Sequence, residues 1–347
     1  MNKTIILNIS PFSLNEKISF FTEFSTYIKS SIPITTLLAQ IIKYSPNSKI
    51  KKISSYILHS IDNGTSFSKA VLKLENILGA AYCNLLAVGE QSGNLPEITK
   101  DILTSLKKQR TIRSNIIKSS AYPAIIMLFV IIAVLVLIFF IVPKVYMQAE
   151  MMTTNIPLLM KILNVISKFM IKTWVLLLIA IPFIISFFIK QIKNAFKNAK
   201  ILNIPLIGKA VKLYNLSVFS RIFSITYSSG ITVTNGYIIS SKAVTNNYIK
   251  NSLLSKAQML SNTSISKTFE ATKLFTPQML SSIEAGEISG HIDEMLKEIS
   301  NDIDEMLDTA ISVTLEALGP ILLVIVAIFV FVFGYIIMGP ANPFNYL

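Results

Sequence analysis

Apolar positions follow two regimes along this chain. From about residue 13 to residue 118 they recur at helical spacing among polar neighbours, with Ile18, Phe21, Phe24 and Ile28 marking one face of an amphipathic helix. Ser13 with Glu16 forms a capping box ahead of that helix. Pro33 opens the next helix, and Asn63-Gly64 marks a turn. A further helix is expected from Ser66 through Leu74, and Leu78 to Val88 leads into a glycine-flanked glutamate. The same plan restarts near Leu213, with turns at Gly230 and at Asn246-Asn247. No alternation of period two lasts long enough to predict a sheet. The second regime is uninterrupted: Ala124 to Val142, Val175 to Ile189 and Leu318 to Met338 contain no Asp, Glu, Lys, Arg or His. A spanning helix needs roughly 20 mostly apolar residues, so these are three membrane spans. The middle one is the shortest and contains Pro182, which a bilayer helix tolerates.

The pattern occurs twice. Gly89-Glu90-Gln91-Ser92-Gly93 returns as Gly286-Glu287-Ile288-Ser289-Gly290, an offset of 286 − 89 = 197. Pro123 maps onto Pro320 and Pro143 onto Pro340 in the same register. Thr65-Ser66-Phe67-Ser68-Lys69 answers to Thr263-Ser264-Ile265-Ser266-Lys267, and Ser30-Ser31 to Ser228-Ser229, each with a slip of one residue. A polar helical domain followed by a membrane helix is therefore the repeated unit, which suggests a two-fold scaffold more readily than one catalytic pocket.

The expected fold is all-α and polytopic. Residues 1–120 form a cytoplasmic helical-bundle domain, 121–143 the first span, 144–172 a periplasmic loop and 173–189 the second span. Residues 190–317 form the second cytoplasmic bundle, 318–339 the third span and 340–347 a periplasmic tail. With 52% apolar and 15% charged residues, the composition is that of an integral membrane protein. The apolar run at Ile5 to Leu7 is too short for a signal peptide, which keeps the first domain in the cytoplasm. Lys100, Lys107, Lys108, Arg110, Arg113 and Lys118 precede the first span, and Lys190, Lys193, Lys197 and Lys200 follow the second. That bias places both flanks inside, with the amino terminus cytoplasmic and the carboxyl terminus periplasmic. Lys144, Lys161, Lys168 and Lys172 in the loop moderate the bias; the tail has no Lys or Arg.

The net charge of +13 belongs mostly to these flanks and to anionic lipid head groups, not to nucleic acid. Cys83 is the one cysteine, so neither an intramolecular disulfide nor a multi-cysteine metal site exists, and His59 and His291 stand alone. Gly208-Lys209 is no phosphate loop, because Asn203 and Ala210 occupy the positions of its first glycine and its Ser/Thr. No cofactor or metal is expected. A permease or transporter subunit is the alternative, against which the spans carry no ionisable residue to mark a path.

The candidate site residues are Gly89, Glu90, Ser92, Gly93, Gly286, Glu287, Ser289 and Gly290. Gly89 and Gly286 allow close helix approach, Gly93 and Gly290 suit a positive φ, and Asn94, Pro96 and Glu97 start the next helix. Glu90 and Glu287 are read as conformational or interfacial, because no His, Lys or second carboxylate beside them implies acid–base chemistry. Lys107 and Lys108 are related by the same offset to Asp304 and Glu305, so equivalent positions carry opposite charge. Either all four are solvated faces near the membrane, or the copies pack about a pseudo-two-fold axis, within one chain or between chains, and bring them together.

Taken in order, the basic helix, Ala121-Tyr122-Pro123, the apolar run, Ile141-Val142-Pro143, Ile204-Pro205-Leu206-Ile207-Gly208, Ser228-Ser229-Gly230-Ile231 and both Gly-Glu-x-Ser-Gly copies resemble the type II secretion system F family, from about Phe20 to Pro340. The resemblance implies a non-enzymatic inner-membrane platform protein of a type II secretion or type IV pilus machine. It would couple a cytoplasmic hexameric ATPase to the insertion of pilin or pseudopilin subunits, beside other inner-membrane assembly proteins and as a homo-oligomer. The chain departs from the pattern by its shortness, which points to the type IVb branch, and by Ser31-Ile32-Pro33 where the second copy has Ser229-Gly230-Ile231.

Overall fold

The computed structural model describes residues 9–30, 32–151, 156 and 158–338, without the side chains of several residues between 159 and 197 or those of 335–338. Ser31, most of 152–157 and the predicted tail lie outside the described residues, as do most side chains of the predicted span Val175 to Ile189. All regular structure among the described residues is helical. The chain divides into two compact units, Met1–Asn115 with Phe196–Ile311, and Ile116–Ala195 with Ser312–Leu347.

The first repeat comprises α1 (Leu14–Ile28), α2 (Ile34–Tyr44), α3 (Ser48–Asp62), α4 (Phe67–Leu72), α5 (Glu75–Leu78) and α6 (Ala80–Gln91), all in the first unit, and is followed by α7 (Leu95–Val136), α8 (Val142–Met151) and α9 (Leu158–Lys197). The second repeat follows the same order with α10 (Ile207–Ser228), α11 (Val233–Ala243), α12 (Asn247–Leu254), α13 (Ile265–Thr272), α14 (Pro277–Ser289), α15 (Ile292–Glu316) and α16 (Leu318–Met338). Local chemistry sets the starts. The Ser13 and Glu16 capping box is formed at α1. Asn47 Oδ1 accepts from Lys49 N–H at 2.9 Å at the start of α3, and Asn246 Oδ1 accepts from Tyr248 N–H at 3.1 Å at the start of α12. The helix expected from Ser66 through Leu74 is α4, which ends at Leu72; a single further turn, α5, follows it, and then Gly79 at φ 104°.

Each repeat closes on aromatic rings. Phe24 stacks on Phe67 at 5.7 Å in the first, and Phe219 packs with Phe223, Tyr237 and Phe269 in the second. Val218, Ile222 and Ile225 of α10 are buried in the core of the first repeat, so the two repeats share one hydrophobic interior. At roughly 1.5–3 kcal/mol per fully buried large side chain, that shared face is a substantial bond between them. The entry to α10 is bent hard. Leu206 has φ 65° and ψ −59°, and Ile207 N–H donates to Pro205 O at 2.8 Å, a γ-turn of the strained kind. A Cβ on Gly208 would sit 2.3 Å from Leu202 O, so only glycine fits behind that turn.

Two helical stretches, Leu95–Met151 and Ile292–Gly334, begin in the first unit and end in the second, and each is long and apolar enough to cross a membrane. Their outward faces carry Phe129, Ile131, Leu323 and Phe331, all exposed, as lipid contact requires. Pro143 does not end the first stretch, and the connection expected at 144–172 is helical in α8 and again from Leu158. The reason is local: Leu137–Ile141 adopts π geometry, in which the absent N–H of Pro143 leaves the carbonyl five residues back, that of Ile138, without its donor. Ser167 Oγ of α9 donates to Ile138 O at 2.6 Å and fills the vacancy.

Cys83 is wholly buried on α6, and burial, reinforced by Glu75, pushes its thiol up to about 12. Only the thiolate reacts readily. N-ethylmaleimide should therefore leave Cys83 unmodified in native membranes and label it once denaturant is added; mass spectrometry showing rapid native labelling would contradict this packing.

Candidate functional site

A helix start leaves backbone N–H groups without partners, and α4 is too short to bury them elsewhere. Ser66 makes no side-chain cap to its own helix. The Glu90 carboxylate supplies the acceptors: Oε1 takes the N–H of Phe67 at 3.1 Å and Oε2 that of Ser68 at 2.7 Å. In the second repeat Glu287 does the same for α13. Its Oε1 accepts from Ile265 N–H, and its Oε2 from Ser266 N–H at 3.3 Å and Ser266 Oγ at 2.6 Å. Ser264 adds a cap of its own to Lys267 N–H at 3.3 Å. A negative charge at the positive end of a helix adds to both contacts.

The glycines on either side turn the chain. A Cβ on Gly89 would lie 3.0 Å from Leu95 Cδ2, and one on Gly286 would lie 2.7 Å from Met295 Cγ. The next helix therefore lies directly against the glycine in each copy. Gly93 has φ 72° and Gly290 φ 79°, the left-handed region that glycine occupies without penalty. Ser92 is the residue after α6, its N–H bonded to Val88 O at 2.8 Å, and Ser289 Oγ reaches Gly286 O at 3.4 Å. Asn94 donates to the Glu97 carboxylate at 2.7 Å in the first turn of α7. The Thr-Ser-x-Ser-Lys and Gly-Glu-x-Ser-Gly motifs are thus two halves of one contact, 22 or 23 residues apart in the first copy and 21 or 22 in the second. Sequence reasoning noted both and did not join them; the signal was that both recur at nearly the same offset.

The four charged candidates separate. Asp304 is buried and accepts hydrogen bonds from Ser217 Oγ and the Arg221 guanidinium, both on α10. It faces the interior of its own repeat, so it does not share a charged face with Glu305, which is exposed. Lys107 is exposed as well, and Lys108 Nζ lies 3.8 Å from Asp308 Oδ2, one turn beyond Asp304. Both partners of that pair are about one-third exposed or more, so it contributes little. α7 and α15 do lie close: burial and Glu97 push the Asp101 carboxyl up, while Lys100 and Lys297 pull it down. Arg221 was missed in the sequence, where its signal is a single guanidinium within the apolar run of α10. Within the first repeat Gln109 Nε2 donates to Tyr82 Oη at 3.0 Å, and across the repeats Tyr82 feels the charge of Arg221.

The family described as type II secretion system protein F matches this chain twice, over residues 20–143 and 219–340, which together exceed half its length. Among similar proteins, the type IV pilus assembly protein TapC of Aeromonas hydrophila is 24% identical over 89% of this chain and 76% of its own. The type II secretion system protein F of Vibrio cholerae is 24% identical over 92% and 80%. The type IV pilus assembly protein PilC of Pseudomonas aeruginosa is 22% identical over 90% and 86%.

Two outcomes follow from this geometry. Glu90→Gln keeps one acceptor oxygen and should cost about 0.5–1.5 kcal/mol in thermal unfolding of the detergent-solubilised chain, whereas Gly93→Val or Gly290→Val forces a β-branched residue to positive φ and should cost roughly 1–3 kcal/mol and abolish assembly. Loss of filaments from Glu90→Gln at unchanged stability would mean that the carboxylate has a partner outside this chain. Asp304→Ala strands the half-buried Arg221 and should cost up to about 3–5 kcal/mol, most of which Arg221→Met with Asp304→Leu should recover. Equal protease resistance of the single variant and the parent chain would contradict the buried pair.

Proposed function

The chain belongs to the type II secretion system protein F family, whose members are inner-membrane platform proteins of secretion and type IV pilus machines, and we propose that it couples a cytoplasmic assembly ATPase to the insertion of pilin or pseudopilin subunits into a filament. The observation carrying this reading is α7, one helix from Leu95 to Val136 that starts at the Gly93 corner and ends in the apolar run. A displacement of the soluble repeats would reach the bilayer through it without a hinge. The doubled plan supports a two-fold or higher assembly built from several copies of this chain, beside other inner-membrane components. Energy comes from the ATPase.

In the arrangement proposed, residues 1–120 and 190–317 are cytoplasmic, three spans cross at 121–143, 173–189 and 318–339, and 144–172 and 340–347 are periplasmic. The charge flanks support it. Reporter fusions at Asn115 and Asn247 should read as cytoplasmic, and fusions at Asn155 and Asn345 as periplasmic; a cytoplasmic Asn155 would refute three spans.

Coupling through α7 is tested by inserting four glycines after Lys118. Glycine costs about 1 kcal/mol per residue in a helix and would make a flexible joint there. Membrane level and co-purification with the ATPase should persist while filament assembly is lost, and four alanines at the same place should retain more assembly than four glycines. Near-normal filaments with the glycine joint would exclude a rigid transmission through this helix.

A further inference from the structure

We propose that a groove between α7 and the α15–α16 junction seats the cytoplasmic end of a filament subunit's membrane helix, with Glu316 receiving that helix's cationic group. This rests on the assembly role proposed above. The groove encloses about 290 Å³ and is lined by Ser119, Tyr122 and Pro123 of α7 and by Ser312, Leu315, Glu316 and Gly319 opposite. Ser119 and Glu316 are equivalent positions of the two repeats, as are Tyr122 and Gly319 (316 − 119 = 319 − 122 = 197). The cavity therefore opens at the level where both polar helices become apolar.

Its charge is the informative part. No Lys or Arg lines the groove. Beyond Lys297 the chain has no basic residue at all, while Asp302, Asp304, Glu305, Asp308 and Glu316 approach the third span. Membrane segments ordinarily present Lys or Arg at their cytoplasmic ends, and anionic lipid repels a carboxylate there. The third span inverts that rule, at a cost that an incoming cation would offset. Asp304 and Asp308 are engaged by Arg221 and Lys108. Glu316 lies 316 − 308 = 8 residues further along, about 12 Å up the helix and out of reach of Lys108. Across the groove the Tyr122 ring is exposed, and a carboxylate facing an aromatic ring is the chemistry that holds an ammonium or guanidinium. A single-span subunit obeying the usual charge rule brings such a group, a free amine or a Lys or Arg, at this depth.

The test uses the full chain in the membranes of cells that make the filament. A photo-reactive benzoylphenylalanine is placed at Tyr122 or Ser312, with Phe331 and Ile131 on the exposed apolar faces as controls. Adducts with the filament subunit, identified by mass spectrometry, should form from Tyr122 and Ser312 about fivefold more than from the controls, and Glu316→Lys should reduce them about tenfold while Glu316→Asp retains them. Replacing the cation at the subunit's cytoplasmic end by Glu should restore the adduct and the filaments in Glu316→Lys. Adducts unchanged by Glu316→Lys, equal yield from Phe331, or capture of amine-bearing lipid alone would overturn the proposal. If Glu316→Lys assembles filaments normally but deletion of the chain abolishes them, the groove is wrong and the assembly role stands. If deletion leaves filaments intact, the assembly role itself has failed.

Discussion

The approach of α7 and of α15 depends on a corner whose carboxylate is held at the start of a short helix. α4 and α13 are too brief to be stable alone, because a helix of six to eight residues does not recover its nucleation cost. Glu90 and Glu287 take their first N–H groups, and charge-assisted bonds of this kind are worth about 1.5–3 kcal/mol each. Because the glutamate sits next to Gly89 or Gly286, the same residue pair that anchors the short helix also sets how near the next helix lies. Gly93 and Gly290 then fix its direction. Each carboxylate thus ties a short helix to the corner from which α7 or α15 departs.

The two copies keep this corner and differ in what surrounds it. In both, the paired serine hydroxyls meet, Ser66 with Ser68 and Ser264 with Ser266; in the second, Ser264 also caps α13 and the Glu287 carboxylate also takes a serine hydroxyl. Asp304 is buried against Arg221, whereas Lys107, its equivalent, is exposed. A buried ion pair is expensive to desolvate and is kept more often for specificity than for stability. Here it sets the register of α15 on α10, the helix whose other face enters the core of the first repeat. The first copy has no such demand, since α7 closes its own bundle through Ile98, Ile102 and Leu106.

Much of this was legible in the sequence, for reasons that differ by element. The helix start at Ser13, the corner at Gly93, the turns at Gly230 and Asn246-Asn247, and the apolar runs Ala124 to Val142 and Leu318 to Met338 are written in short-range chemistry, which needs no tertiary partner to be read. The contact between Glu90 and Phe67 was not, because periodicity reports which face is buried and not which backbone group a carboxylate meets. The fate of Pro143 was hidden for the same reason. Whether a proline ends a helix depends on who satisfies the carbonyl it leaves, and Ser167 is on another helix. Asp304 was misassigned to a charged surface because its partners lie more than 80 residues away.

The equivalent prolines show how one repeat yields two mechanical parts. Pro123 lies inside α7, which runs through it. Its equivalent, Pro320, falls in the first turn of α16, where a missing N–H costs nothing, because the helix has been interrupted at Ala317. Tyr122 precedes the first proline and Gly319 the second, and a residue before proline is pushed away from helical geometry, most easily when it is glycine. The same pair shapes the groove: an aromatic ring stands on one wall and bare backbone on the other. In one copy the helix thus continues through its proline, and in the other it is interrupted three residues before it, next to an acidic side chain.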